Sequence, residues 1–109
     1  MDEVNDPAPA VGWAEASVDG TGVVVLKLSG EIDMANVDAL RAEIEPALEP
    51  RPKRVIFDLG RLNFMDSSGI ALLLQVAARA ESVRVREPSV AVRRMIEVTG
   101  LADVLHIDP

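Results

Sequence analysis

The apolar residues of this chain change period again and again, and that alternation limits the fold more than any other feature. Val23-Val24-Val25-Leu26-Lys27-Leu28 is β-branched and nearly continuous, which predicts a strand buried on much of both faces. Val37, Leu40, Ile44, Ala47 and Leu48 then recur at helical spacing, with Asp38, Arg41, Glu45 and Glu49 pointing elsewhere. Ser29-Gly30-Glu31-Ile32-Asp33 separates the two patterns, so Asp33 is expected to cap this first helix, and Pro50 and Pro52 to end it. Val55-Ile56-Phe57-Asp58-Leu59 is the next buried strand.

The turn Asp66-Ser67-Ser68-Gly69 leads into a second helix with Ile70, Leu73, Leu74 and Ala77 on one face, which Leu72 and Val76 broaden. Val83-Arg84-Val85 alternates as a short strand. Pro88-Ser89 opens a third helix, with Val92, Met95, Ile96 and Thr99 directed inward. Gly100 stands where a left-handed C-terminal cap belongs, and Leu101 supplies the accompanying apolar contact. Val104 to Ile107 is a final strand candidate.

Near the start, Trp13 to Val18 and the turn Asp19-Gly20-Thr21-Gly22 predict a hairpin that adds one antiparallel edge strand. Strands alternating with helices imply parallel pairs joined by right-handed crossovers. The expectation is therefore one α/β domain over residues 13–109, mostly parallel, behind a flexible acidic and Pro-containing leader over residues 1–12. The length of 109 residues suits one domain. Aromatic residues make up only 3%, so the core must be aliphatic.

Several functions lack their chemistry. With no cysteine there is no disulfide framework, thiolate metal site or cysteine nucleophile. His106 has no second His or Cys beside it and reads as a structural or surface residue. No phosphate-cradling Gly-rich loop, dinucleotide fingerprint or nucleophile elbow is present. A net charge of −7 opposes direct nucleic-acid binding, which rests on Lys and Arg neutralising phosphates. No apolar run approaches the roughly 20 residues that span a bilayer, and no signal peptide is recognisable. The default expectation is a cytoplasmic protein without catalytic residues, metal or cofactor.

What remains is Asn63-Phe64-Met65-Asp66-Ser67-Ser68-Gly69-Ile70, which joins a buried strand to an apolar-faced helix. One reading is plain capping: Asp66 caps, and the serines fill a first turn whose amides lack partners. The other is a switch. A phosphate on Ser67 would sit on the helix N-terminus and add about −1.5 to −2 charges beside Asp66 without unfolding the backbone. Gly69 would let another backbone or a partner approach closely.

In its setting, this segment resembles the STAS family of anti-sigma factor antagonists of the sporulation and general-stress type. Three blocks carry the resemblance in order: Leu28-Ser29-Gly30-Glu31-Ile32-Asp33, then Leu62 to Ile70, then Pro88 to Leu101. It covers roughly residues 13–107 and identifies 13–109 as a STAS domain. It implies a small sheet wrapped by helices, and an unphosphorylated form that binds an anti-sigma factor serine kinase and frees the sigma factor. The serine after the block's Asp is the phosphorylation site, hence Ser67, and a serine phosphatase resets it. Asp33, Asp66, Ser67, Ser68 and Gly69 would form the partner-binding surface, with Asp33 equally open to being a plain cap. Arg93 and Arg94 are expected to be solvated. The chain lacks the glycines often found near Ala80-Glu81-Ser82 and the further C-terminal helix of many members, leaving a weak homodimer open. Two other readings stay in view: a STAS scaffold subunit of a stress-sensing complex or transporter without a switch, and a metal-dependent hydrolase built on Asp33 and Asp66.

Overall fold

The computed structural model describes residues 12–108, so the leader expected over residues 1–12 lies outside the described residues except for Gly12. Four strands form one sheet in the order β1-β2-β3-β4, with β1 Trp13–Val18, β2 Val23–Ile32, β3 Arg54–Met65 and β4 Ser82–Arg86. β1 is antiparallel to β2, and β2, β3 and β4 are parallel. This is the mixed α/β sheet that the alternating periods imply. Asp19 closes the first hairpin, its Oδ1 accepting from the Thr21 hydroxyl at 2.6 Å and the Thr21 amide at 2.8 Å. The hydroxyl bond first, and then the amide, hold the Asp19 carboxyl below its ordinary range.

Strand β2 is covered on one face only, contrary to expectation. Val24, Leu26 and Leu28 are buried, Val23 and Val25 are half-buried, and Lys27 is exposed. The cause is topological. Successive right-handed crossovers that step the same way across a sheet place both helices on one side. These helices are α1 Val37–Ile44 and α2 Ser67–Ala77. Arg79, just beyond α2, reaches Glu45 at 2.6 Å and Glu49 at 2.8 Å and ties the two crossovers together.

Other boundaries also move. β2 continues to Ile32 and β3 to Met65, because Ser29 to Ile32 stay paired with Arg61 to Met65 through two register shifts. Helix α1 starts at Val37, not at Asp33, and ends at Ile44, before Pro50 and Pro52 are reached. Pro46 stops it: without an N–H it cannot continue the α-helical ladder, and Glu45–Leu48 tighten into a 3-10 turn. On α2, Leu72 and Val76 are fully buried while Leu74 and Ala77 are only half-buried.

The third helix, α3 Val90–Val98, is capped by Ser89, whose Oγ accepts from the Val92 amide at 3.1 Å. Thr99 is exposed and not inward, its hydroxyl donating to the carbonyls of Met95 and Ile96 at 3.0 and 2.9 Å. Gly100 takes the left-handed conformation (φ +78°), and the Leu101 amide reaches Ile96 O at 3.1 Å. That is the expected cap. Arg93 is half-buried, with its guanidinium 3.5 Å from the Asp108 carbonyl, while Arg94 is exposed.

The final strand is absent. Residues Ala102–Leu105 form a short helix, α4, and only Ile107 makes an isolated bridge, to Val85. Leu105 is fully buried, which a helical turn after Gly100 achieves and a strand in that register need not. His106 is exposed in a left-handed conformation. The core between sheet and helices is aliphatic around one aromatic ring, Phe57, which is 0% exposed. Phe57→Ala is expected to cost about 3–5 kcal/mol, read from urea unfolding midpoints at an unchanged m-value.

Candidate functional site

A single residue, Asp66, separates the end of β3 from the start of α2. Its backbone is extended (φ −99°, ψ −167°), and it caps the helix through Oδ1, which accepts from the Ser68 amide at 2.8 Å and from the Ser68 hydroxyl. Its carbonyl accepts from the amides of Gly69 and Ile70 at 3.0 and 3.3 Å. Its own amide donates to Ile32 O at 3.1 Å, which locks the start of α2 to the end of β2. The Ser68 hydroxyl, above all, holds the Asp66 carboxyl below its ordinary range. Partial burial pushes it up, and the amides of Ser68, Gly69 and Met34 push it further down.

Met34 lies in the neighbouring turn, between the end of β2 and the start of α1. Asp33 and Asn36 build that turn reciprocally. Asp33 Oδ1 accepts from the amides of Ala35 and Asn36 at 2.9 and 3.3 Å, while Asn36 Oδ1 accepts from the Asp33 amide at 3.0 Å. Asn36 Nδ2 also donates to Glu31 O at 2.8 Å. Asp33 therefore caps the turn that precedes α1 and not the helix itself. Asn36, at the helical N-cap position, makes no side-chain cap bond to α1. The Asp-x-x-Asn spacing was the signal for this pairing, a variant of the reciprocal capping logic.

The two serines differ. Ser68 is half-buried and its hydroxyl is engaged by Asp66. Ser67 is exposed, and among the described residues its hydroxyl has no hydrogen-bond partner. Gly69, expected to admit a partner, is buried: a Cβ there would stand 2.7 Å from Met65 Cβ and 3.2 Å from its sulfur. Its missing side chain makes room for Met65, which is 1% exposed. The structure thus brings Asp33, Asp66, Ser67 and Ser68 to one surface beyond the carboxyl ends of β2 and β3, with Gly69 beneath it. Two apolar residues at this end carried no periodic signal in the sequence: Met34, 79% exposed, and Phe64, 48% exposed. Among the described residues no group of three His, Cys, Asp or Glu is placed to hold a metal ion, and no helix is long and apolar enough to cross a membrane.

With this geometry in hand, comparison defines the class. Residues 16–106 match the family described as Mlab, STAS domain, and the chain belongs to the STAS family. Several of the relatives it resembles are anti-sigma factor antagonists. The anti-sigma F factor antagonist of Lysinibacillus sphaericus is 36% identical over 83 residues, 72% of this chain and 71% of that protein. A solved anti-sigma factor antagonist from Mycobacterium paratuberculosis has a TM-score of 0.82 at 30% identity, covering 94% of this chain and 89% of that one. The anti-sigma factor antagonist SpoIIAA is similar in its unphosphorylated form, with a TM-score of 0.66, 28% identity and 89% of each chain covered. Its phosphorylated form has a TM-score of 0.61 at 27% identity, covering 89% of this chain and 92% of that one.

Two outcomes test the site's construction. Gly69→Ala forces Met65 out of place and is expected to lower stability by about 1–3 kcal/mol in urea unfolding. Asp66 has a depressed folded pKa, so its ionised form contributes stability that is complete above about pH 4 and lost as pH falls through the folded value. Asp66→Asn should therefore flatten the acid side of the stability profile measured between about pH 5 and about pH 2.

Proposed function

We propose that this protein is an anti-sigma factor antagonist that docks, unphosphorylated, on an anti-sigma factor serine kinase and so releases a sigma factor. Phosphorylation of Ser67 ends the docking, and a serine phosphatase restores it. The observation that carries this reading is the division of labour between the serines: the Ser68 hydroxyl is held by Asp66, while the Ser67 hydroxyl is exposed and free. A kinase reaches only the second without breaking the cap.

The geometry supports a change of surface and not of fold. A phosphate on Ser67 lies at the N-terminus of an 11-residue helix, where free amides and the helix dipole favour it. It adds about −1.5 to −2 charges next to Asp66, already held ionised, and next to the Asp33 turn. A partner surface chosen to meet two carboxylates and a hydroxyl then faces a dense negative cluster and a desolvation cost. Asp33, Asp66, Ser67 and Ser68 make the contacts, and Gly69 supports them from below through Met65. The protein acts as a kinase's substrate in the cytoplasm and reaches transcription through a protein partner, with no contact to DNA.

The test begins with wild-type and Ser67→Asp protein used as bait in lysate, followed by mass spectrometry and by purification of any retained serine kinase. With ATP, that kinase is expected to phosphorylate wild type and Ser68→Ala but not Ser67→Ala, read by phosphopeptide mapping. Phosphorylation should weaken binding about tenfold or more, and Ser67→Asp less, because it carries one charge. Phosphoprotein that binds as tightly as unmodified protein sinks the switch.

A further inference from the structure

On the docking surface just proposed, one side chain stands apart. Met34 lies between Asp33 and Ala35 with 79% of its surface exposed. The backbone on either side of it is fixed: Asp33 Oδ1 holds the amides of Ala35 and Asn36, Asn36 Oδ1 holds the amide of Asp33, and the Val37 amide reaches Asp33 O at 3.0 Å. An apolar side chain standing in water on a rigid turn loses little backbone freedom when a partner covers it. Methionine, unbranched and polarisable, fills irregular apolar pockets well.

The same side chain is the accessible sulfur of the described residues. The chain has no cysteine, Met65 is 1% exposed, and Met95 is half-buried against the core. We propose that Met34 is an apolar anchor of the partner interface and that oxidation of its thioether by a hydroperoxide weakens docking, a second input beside Ser67. This rests on the docking surface proposed above. In the step, a sulfur lone pair takes the terminal peroxide oxygen. The S–O bond forms, the O–O bond breaks, and the remaining oxygen leaves as water with the transferred proton. Sulfur loses the two electrons that hydrogen peroxide gains. A thiol-dependent sulfoxide reductase reverses it, the oxygen leaving as water while two thiols become a disulfide. The sulfoxide oxygen is a strong acceptor placed where an apolar contact stood, and burying it without a donor opposes docking.

The full chain, alone and in complex with the serine kinase purified as above, is treated with hydrogen peroxide and mapped by peptide mass spectrometry. Met34 is expected to gain oxygen ahead of Met65 and Met95 in the free protein and to be protected in the complex. Oxidised protein should bind the kinase roughly tenfold more weakly, as should Met34→Gln. Met34→Leu keeps an apolar side chain but no sulfur, and its binding, whatever its own starting affinity, should no longer fall on peroxide treatment. Equal oxidation of the three methionines, no protection in the complex, or undiminished binding by the oxidised protein overturns the proposal. If Ser67 phosphorylation still blocks binding in that assay, the docking reading stands and only the role of Met34 falls. If no kinase binds in a phosphorylation-sensitive way, both fall together.

Discussion

The carboxylate of Asp66 is the joint on which the functional end of the molecule turns. It caps α2 and engages the Ser68 hydroxyl, while the backbone amide of the same residue bonds to the last residue of β2. The ends of β2 and β3 and the start of α2 are thereby held at one point. Remove the negative charge and the helix start and the second serine lose a common anchor. The site is rigid for this reason, and a rigid site is what a charge-based switch requires: an added phosphate changes the surface potential while the scaffold stays in place.

Behind that joint lies tight packing of a different kind. Met65 fills the space under α2 that Gly69 leaves empty, and its 1% exposure places it in the aliphatic core with Leu26, Phe57 and Ile96. The proposed docking surface and the core therefore share a wall. Polar chemistry on one side is positioned by apolar packing on the other, which is how a one-residue connection from strand to helix holds its geometry.

The one-sided sheet follows from connectivity. Each crossover, from β2 to β3 and from β3 to β4, advances one strand in the same direction, and the right-handed rule for parallel connections then puts α1 and α2 side by side. Their mutual contact, cemented by Arg79 with Glu45 and Glu49, leaves the opposite face to Lys27, Arg84 and Arg86. A run such as Val23 to Leu28 looks doubly buried in sequence because Val is the favoured residue of strands on either face. Only the placement of the helices shows which Val is covered.

Local chemistry was legible in the residues themselves. The periods of the apolar residues, the caps at Asp66, Ser89 and Gly100, and the hairpin at Asp19 all follow from interactions spanning a few residues, which a sequence carries complete. The ends of β2 and β3, the helical form of Ala102–Leu105 and the burial of Gly69 were not legible, because each depends on what lies across from it in space. The same holds for the site. The sequence by itself determined that Asp66, Ser67 and Ser68 begin a helix and that Asp33 belongs to the break between a strand pattern and a helix pattern. Tertiary structure decided that the Asp33 turn and Met34 stand at the same end of the sheet and that Gly69 is buried. Hydrogen-bond geometry and steric contact between distant segments make those choices, and neither is written in the spacing of residues along the chain.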